Sequence, residues 1–309
     1  MSYHPRIEAP DITNFLTTRC RNSELWFINN KPLDDAILGY LASFTKRYSV
    51  KLYAYATEGS HNHSLCLFPD QNRAHFMRDF NSSTARAVKR LCSGFRGGSL
   101  FARRYSNEFC PDSPDIEDRF FYTVLQPVQD GLVEKISQYP GYNCFHDAVY
   151  GIKRDFYVVD WTRYNSDKRF NPNINVADYR KKVTLVYERL PGYEHLSQRE
   201  YAKLMHEKLE ERRVKIVKER KAAGLGFLGR DVLLGMRAGT PARRPKTSTP
   251  TSHRPRVLCV CPVRRLEYKR WYFELYFAYR EASRLYRSGV LDTEFPPGMY
   301  RPYLPLLAA

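Results

Sequence analysis

The chain has 309 residues, enough to bury a large hydrophobic core, and 43% of them are hydrophobic. This composition excludes a wholly disordered chain, and no stretch approaches the roughly 20 apolar residues that a membrane span needs. It carries 50 Lys and Arg against 33 Asp and Glu, a formal net charge of +17. Because the N-terminus has no apolar signal-peptide segment, we expect a cytoplasmic protein that does not contact a membrane.

The positive charge lies almost entirely in the second half of the chain. Residues 1–150 hold 17 basic and 16 acidic residues, whereas residues 151–309 hold 33 and 17. This asymmetry predicts a polyanionic partner, with nucleic acid favoured over a membrane surface. The alternative is a solvated basic surface of ordinary helices. The seven cysteines include no CxxC pair, which favours reduced thiols over a disulfide framework or a zinc ribbon.

Hydrophobic periodicity predicts alternating strands and helices in the first 150 residues. In chain order the expected elements are a strand over 24–29, a helix over 33–48, strands over 50–56 and 62–68, a helix over 74–92, an extended segment over 99–109 and a helix from about 115 to 126, where Pro127 disturbs it. This order indicates an α+β domain with an antiparallel sheet and helices on one face.

Beyond residue 150 the pattern is weaker and predicts a mostly helical, basic extension. Segments 156–159 and 183–186 read either as strands or as short helical pieces, and Cys259 to Cys261 as a short strand. Helices are expected over 197–221, with a capping box from Ser197 to Glu200, and over 270–288. We divide the chain into a catalytic domain (1–150), a basic helical extension (151–238), a flexible basic linker (239–256) and a C-terminal helix with a Pro-rich tail (257–309).

His61 and His63 are the two histidines that could bind one metal ion together. They are two residues apart on a predicted strand, so both side chains point to the same face. Two neighbouring imidazoles can bind a divalent cation without rearrangement. The alternative is a pair of exposed strand histidines with no ligand.

Tyr122 and Gln126 form a second candidate pair. At positions i and i+4 of a helix, their side chains share one face. Placed beside the histidine pair, the amide oxygen of Gln126 could complete a cation site, and the phenol of Tyr122 could attack a phosphodiester that the cation polarises. The chain contains 23 tyrosines, so a packing role for Tyr122 is the alternative.

Several segments together resemble the single-tyrosine HUH transposases, in particular the REP-associated tyrosine transposases. Residues 60–67 (SHNHSLCL) resemble the family's N-H-x-H-L-L block, and residues 121–133 (FYTVLQPVQDGLV) resemble its tyrosine helix, R-Y-V-E-x-N-P-V-x-A-G-L-V. Residues 101–105 and 138–142 match two further motifs loosely. The resemblance covers about residues 20–150, with the motifs in the family's order.

This resemblance implies a ferredoxin-like HUH palm that cleaves single-stranded or hairpin DNA. Tyr122 would be the nucleophile and form a 5′-phosphotyrosine intermediate, and His61, His63 and Gln126 would bind Mg²⁺ or Mn²⁺. The chain departs from the family pattern at Asn62, where an apolar residue is usual, and at Ser60, Gln126 and Asp130, which stand for Asn, Asn and Ala. Relatives occur as monomers and as homodimers, and the sequence does not decide between them.

Basic residues outside the motifs are the candidates for contacts with DNA. In the first half they are Arg73, Arg78, Arg86, Lys89, Arg90, Arg96, Arg103 and Arg104. In the second half they are Arg212, Arg213, Lys215, Lys218, Arg220 and Lys221, followed by Arg243, Arg244, Lys246, Arg254 and Arg256. The helix over 270–288 also interleaves aromatic and basic residues, which could stack on nucleobases, although such a face is more often core. Two other functions remain open: a non-catalytic or domesticated nucleic-acid-binding protein on the same scaffold, and an HUH replication initiator.

Overall fold

A computed structural model describes residues 5–242 and 256–303. It confirms an α+β fold with a four-stranded antiparallel sheet, in the strand order β2-β3-β1-β4. The elements that build this sheet and its first helices are β1 (Thr13–Arg19), α1 (Lys31–Arg47), β2 (Lys51–Glu58), β3 (His61–Leu67), α2 (Arg73–Leu91) and β4 (Ser106–Cys110). Strand β3 is therefore an inner strand, paired on both sides.

The first strand lies earlier in the chain than predicted. Strand β1 is rich in Thr, which favours strands, but its sequence shows little apolar alternation. The expected strand at 24–29 is wrong. That segment instead wraps the turn between β2 and β3, where Phe27 N–H donates to the Gly59 carbonyl at 2.8 Å. A Cβ on Gly59 would lie 2.8 Å from Leu25 Cδ2 and 3.0 Å from Ile28 Cγ2, so a larger residue there would require both side chains to shift. The apolar pattern of 24–29 reports burial rather than strand pairing.

Helices cover both faces of the sheet, which corrects the prediction of one covered face. Helix α2 lies on the face that carries Tyr55, whose ring is 6.0 Å from that of Phe80. Helix α3 (Ser113–Gln129) lies on the opposite face, where the ring of Tyr122 is 5.8 Å from that of His63. This arrangement follows from the alternation of side chains along β3.

Helix α3 is one turn longer than the sequence predicted. A capping box between Asp112 and Asp115 starts it, and it continues through Pro127 to Gln129. Asp130 caps the helix, with its N–H donating to the Gln126 carbonyl at 2.9 Å. The extra turn carries the chain to Asp130 in helical register with Tyr122 and Gln126.

The second half contains more strand than predicted. Its elements are α4 (Phe145–Tyr150), β5 (Arg154–Val159), α5 (Trp161–Lys168), β6 (Arg180–Leu185), α6 (Gln198–Ala222), α7 (Arg230–Leu234) and α8 (Pro262–Arg287). Strands β5 and β6, joined through α5, form an antiparallel two-stranded sheet against α1, where a Cβ on Gly39 would lie 2.8 Å from the Val158 side chain. Helix α6 packs on α3 and α4, and its predicted capping box at Ser197 is confirmed.

Helix α8 and the residues before it cover the outer edge of β4. Phe109 N–H donates to the Arg256 carbonyl, and Leu258 N–H donates to the Phe109 carbonyl, both at 2.8 Å. The rings of Phe109 and Trp271 then meet edge to face at 5.5 Å. An unpaired strand edge is thus protected. Helix α8 starts eight residues earlier than predicted, directly after Cys261, so 259–261 is not a strand.

The predicted linker over 239–256 falls mostly outside the described residues, and with it Arg243, Arg244, Lys246 and Arg254. Its first residues are paired with the loop after β1: Gly239 N–H donates to the Leu25 carbonyl at 3.0 Å, and Ala242 N–H to the Ser23 carbonyl at 3.2 Å.

All seven cysteines are free thiols, six of them buried. Among the described helices, none has both the length and the apolar character to cross a bilayer.

Candidate active site

The two histidines of β3 lie side by side beneath α3. Each is 4% exposed, and their ring centroids are 4.9 Å apart with the rings perpendicular. Thr17 on β1 is the direct partner of His63 in the sheet, and a hydrogen bond of 2.9 Å joins its Oγ1 to His63 Nδ1. Because this bond fixes the orientation of the ring, a ligand of His63 would be bound through Nε2.

Tyr122 is brought to this pair by α3. Its ring is 5.8 Å from that of His63 and 5.6 Å from that of Phe15, and the rings of Phe15 and His63 stack on each other at 5.2 Å. The guanidinium of Arg119, one turn earlier on α3, lies 4.8 Å from the centre of the Tyr122 ring. A partly buried phenol thus has an imidazole and a guanidinium as neighbours.

Gln126 and Asp130 follow Tyr122 at intervals of four residues, so the three side chains form one row along α3. Gln126 is 3% exposed, and its Oε1 accepts no hydrogen bond from any residue that the structure describes. A buried amide oxygen in this state costs free energy unless a ligand engages it.

Two carboxylates complete the site, and sequence reasoning did not find either. Glu58 ends β2 and pairs directly with His61 across the tight turn, with 3.5 Å between its carboxylate oxygen and His61 Nε2. One ligand atom each of Glu58, His61 and Asp130 lie within 4.8 Å of one another. His63 does not belong to this group, so the carboxylates collect around His61 while His63 faces the tyrosine.

Signals for both carboxylates exist in the sequence. A two-residue turn places the residues on either side of it opposite each other, which predicts Glu58 beside His61. Asp130 is four residues after Gln126, so it shares the face that already carries Tyr122. The mixed set of carboxylate, amide and imidazole ligands suits Mg²⁺ or Mn²⁺, with imidazole adding affinity for softer divalent metals.

Tyr139 is a second tyrosine beside the site, and its environment differs from that of Tyr122. Its hydroxyl donates to the Thr57 carbonyl at 2.8 Å. Burial, and then the negative charge of Glu58, hold the pKa of Tyr139 well above its usual value. It is therefore a protonated structural phenol rather than a nucleophile.

A second cluster of potential metal ligands, Asp112, Asp115 and Cys259, lies at the start of α3. Asp115 accepts hydrogen bonds from Asp112 N–H at 3.1 Å and from Val260 N–H at 2.6 Å. Burial, followed by interactions with Asp115, raises the pKa of Cys259 to about 11, so the thiol stays protonated. This cluster ties α3 to the segment before α8.

The basic residues predicted to contact DNA have different environments. Arg73 is fully buried and donates to Asn14 Oδ1 at 2.6 Å and to the Ile7 carbonyl at 2.8 Å, so its place is inside the protein rather than on DNA. The other candidates of α2 lie on the face of the sheet opposite Tyr122, and they are Arg78, Arg86, Lys89 and Arg90. Arg103 and Arg104 are exposed in the segment before β4.

The candidates of α6 are largely engaged by acidic side chains. Arg212 lies 3.2 Å from Asp118 and 3.5 Å from Glu117 of α3, and Arg213 lies 2.8 Å from Glu210. Lys215 is exposed. Two of the three predicted residues thus contribute to packing of α6 against α3 and to the helix itself.

No protein-family model matches the sequence, and no curated protein gives a significant match. Among solved structures, the chain is similar to a REP-associated tyrosine transposase bound to a REP hairpin, with a TM-score of 0.40 and 20% identity over 47% of this chain and 84% of that one. It is also similar to tRNA(His) guanylyltransferase from Saccharomyces cerevisiae, with a TM-score of 0.33 and 9% identity over 42% and 64% of the two chains. At these TM-scores neither likeness carries an argument about function.

Proposed function

We propose that this protein cleaves and rejoins single-stranded or hairpin DNA, with Tyr122 as the nucleophile. The observation that carries the proposal is the contact of the Tyr122 ring with His63, which itself adjoins His61. The tyrosine and histidine motifs are far apart in sequence and come from different elements. The β-α-β-β-α-β order of the sheet is consistent with a ferredoxin-like HUH palm.

The cation site of this proposal consists of His61, His63 and Gln126, with Glu58 and Asp130 as additional oxygen ligands. The buried, unbonded Oε1 of Gln126 supports the fit, as do the ligand atoms gathered around His61. When bound, Mg²⁺ or Mn²⁺ would polarise the scissile phosphodiester and stabilise the charge that builds on its oxygens.

Tyr122 would carry out the covalent step. Its Oη attacks phosphorus and loses the phenolic proton to solvent, the bond from phosphorus to the 3′ oxygen breaks, and that oxygen takes up a proton. The products are a 5′-phosphotyrosine and a free 3′-OH. A second 3′-OH then attacks the phosphotyrosine and restores the phenol, so no external energy source is needed. Arg119, whose guanidinium is paired with Asp118, packs on the Tyr122 ring and holds it in place.

A covalent adduct tests this function. A labelled hairpin oligonucleotide incubated with protein and Mn²⁺ should give an SDS-stable adduct with the wild type and with Tyr157→Phe, a matched variant of a tyrosine that is 66% exposed. Tyr122→Phe should give none. His61→Ala and EDTA should each lower the yield by at least about 100-fold, as expected when ligands or metal are removed.

Two results would contradict the proposal. An adduct of equal yield in Tyr122→Phe removes this residue as the nucleophile. Hairpin binding that survives EDTA and His61→Ala, with no adduct from any variant, instead supports a non-catalytic DNA-binding protein.

A further inference from the structure

Helix α8 exposes a row of basic and aromatic residues along most of its length. Arg265, Lys269, Phe273 and Phe277 follow at intervals of four, which places them on one ridge of the helix. We call these four residues the α8 ridge. Phe273 is 41% exposed and Phe277 is 58% exposed, and their rings lie 6.3 Å apart. Two adjacent exposed phenylalanines indicate a binding surface rather than a solvated one.

The aromatic residues of α8 divide into two groups. Trp271 and Tyr272 pack on Phe109 of β4 and anchor the helix to the sheet. Phe273 and Phe277 lie outside this contact and touch mainly aromatic neighbours on α8 itself. The anchor fixes the ridge relative to the sheet, so binding to it would not require ordering a mobile helix.

The cations of α8 are available to a polyanion. Arg265, Lys269 and Arg270 are exposed, and within residues 5–242 and 256–303 none of them forms an ion pair. The helix contains seven Arg or Lys residues and three Glu residues. A partner with negative charges could pair with the two cations of the ridge, and flat rings on the same partner could stack on its two phenylalanines. Single-stranded nucleic acid has both features.

A cleft lies between the basic end of this ridge and the first turns of α3. It has a volume of about 400 Å³, with Arg119 on one side, next to Asp115 and Asp118, and Arg265 and Lys269 on the other. Arg119 is the residue whose guanidinium lies over the Tyr122 ring. Arg119 therefore contacts Tyr122 and also lines the cleft whose other side is the basic end of the ridge, and Phe273 and Phe277 follow Lys269 one and two turns later.

We infer that the α8 ridge binds the single-stranded DNA that flanks the cleaved phosphate, an inference that rests on the proposed function for the identity of the substrate. Arg265 and Lys269 contact backbone phosphates where the strand leaves Tyr122. Phe273 and Phe277 then stack on the next unpaired bases. Stacking on aromatic side chains tolerates any base, so the ridge adds affinity for single strands without sequence preference.

The test measures binding without cleavage, on the full chain carrying Tyr122→Phe and in the presence of EDTA. The probes are a fluorescent dT12 oligonucleotide and a backbone of equal length with abasic sites. Phe273→Ala with Phe277→Ala should raise the Kd for dT12 by about tenfold or more and leave the Kd for the abasic probe unchanged. Phe170→Ala is the matched control, since it removes a phenylalanine that is 88% exposed elsewhere.

Three outcomes would overturn the inference. They are an unchanged Kd for dT12 in the double variant, an equal loss for both probes, and a wild-type dimer in sedimentation that the double variant converts to monomer. The last would make the ridge a contact between two copies of the chain. The binding assay needs neither adduct nor metal. It therefore tests the role of the α8 ridge independently of the assignment of Tyr122 as the nucleophile.

Discussion

The two long basic helices of the second half have the same net charge and different surroundings. Helix α6 contains nine basic and five acidic residues, and α8 contains seven and three, so both carry +4. On α6, Lys208 and Arg212 lie on Glu117 of α3. On α8, Arg264 pairs with Asp112 and Glu267, whereas Arg265, Lys269 and Arg270 have no ion-pair partner among the described residues. Net charge alone therefore does not identify a nucleic-acid surface, since the acids of a neighbouring helix decide which cations remain available.

The first turns of α3 cause this difference. Its acidic residues Asp115, Glu117 and Asp118 suit a helix N-terminus, where the macrodipole favours negative charge. Glu117 and Asp118 then also face α6, and they hold that helix by ion pairs. The same residues that begin the tyrosine helix thus remove much of α6 from the surface that could meet DNA.

The largest expected effect is on stability and concerns Glu117. Its carboxylate lies 2.9 Å from Lys208 Nζ, hydrogen-bonds the Tyr193 hydroxyl and is only 14% exposed. Glu117→Ala should lower the free energy of unfolding by about 2–3 kcal/mol, because it leaves partly buried cations unpaired. Glu281→Ala on α8 breaks a pair with Arg284 in which Glu281 is 59% exposed, and should cost less than about 0.5 kcal/mol. Urea unfolding with a common m-value measures both, and equal losses would contradict the comparison.

The chemistry of the candidate site was more predictable than its surroundings. Strand and helix periods alone place His61 beside His63, and Gln126 one turn from Tyr122. The contact of Tyr122 with His63 depends on tertiary packing, which neither the strand period nor the helix period predicts. Only the resemblance to a family suggested it. Glu58 was within reach of a register argument, because a two-residue turn of Gly59 and Ser60 places Glu58 opposite His61.

Other errors have local physical causes. Strand β1 was missed because its Thr and Asn residues give weak apolar alternation, although its register positions Thr17 on His63. Pro262 at the first turn of α8 is a start signal that was not used, so the helix was predicted eight residues short, without Arg265 and Lys269. The burial of Arg73 was not predictable from the sequence of α2, because its partners Asn14 and Ile7 are distant in the chain.

The second prediction compares the cations of the two helices directly. Arg265→Gln with Lys269→Gln on α8 should raise the Kd for dT12 about five- to tenfold and lower the slope of log Kd against log salt by about 1.4, as expected for two lost phosphate contacts on a single strand. Arg212→Gln with Arg213→Gln on α6 should change Kd less than about twofold, because both guanidiniums are already engaged. Salt titrations of the two double variants and the wild type measure this, and a larger effect from α6 would reverse the assignment of the DNA surface.

The third prediction concerns Asp34 on α1, a partly buried carboxylate that forms no counterpart of the ion pair of Glu117 among the described residues. No hydrogen bond to its carboxylate occurs among the described residues, and burial raises its pKa to about 6. The folded state therefore binds this proton more tightly than the unfolded chain, whose Asp has a pKa of about 3.9. The stabilising contribution is complete below about pH 4 and is lost as the pH rises through 6.

Asp34→Asn removes this dependence without changing the size of the side chain. At pH 7.5 the variant should be more stable than the wild type by about 1–2 kcal/mol, a value reduced from the full shift because the carboxylate keeps some solvent. At pH 4 the two proteins should unfold at the same urea concentration. Asp35→Asn is the control, since that neighbour is 45% exposed and pairs with Lys31. A gain at pH 7.5 that persists unchanged at pH 4 would show that the substitution acts through helix packing rather than through the buried charge.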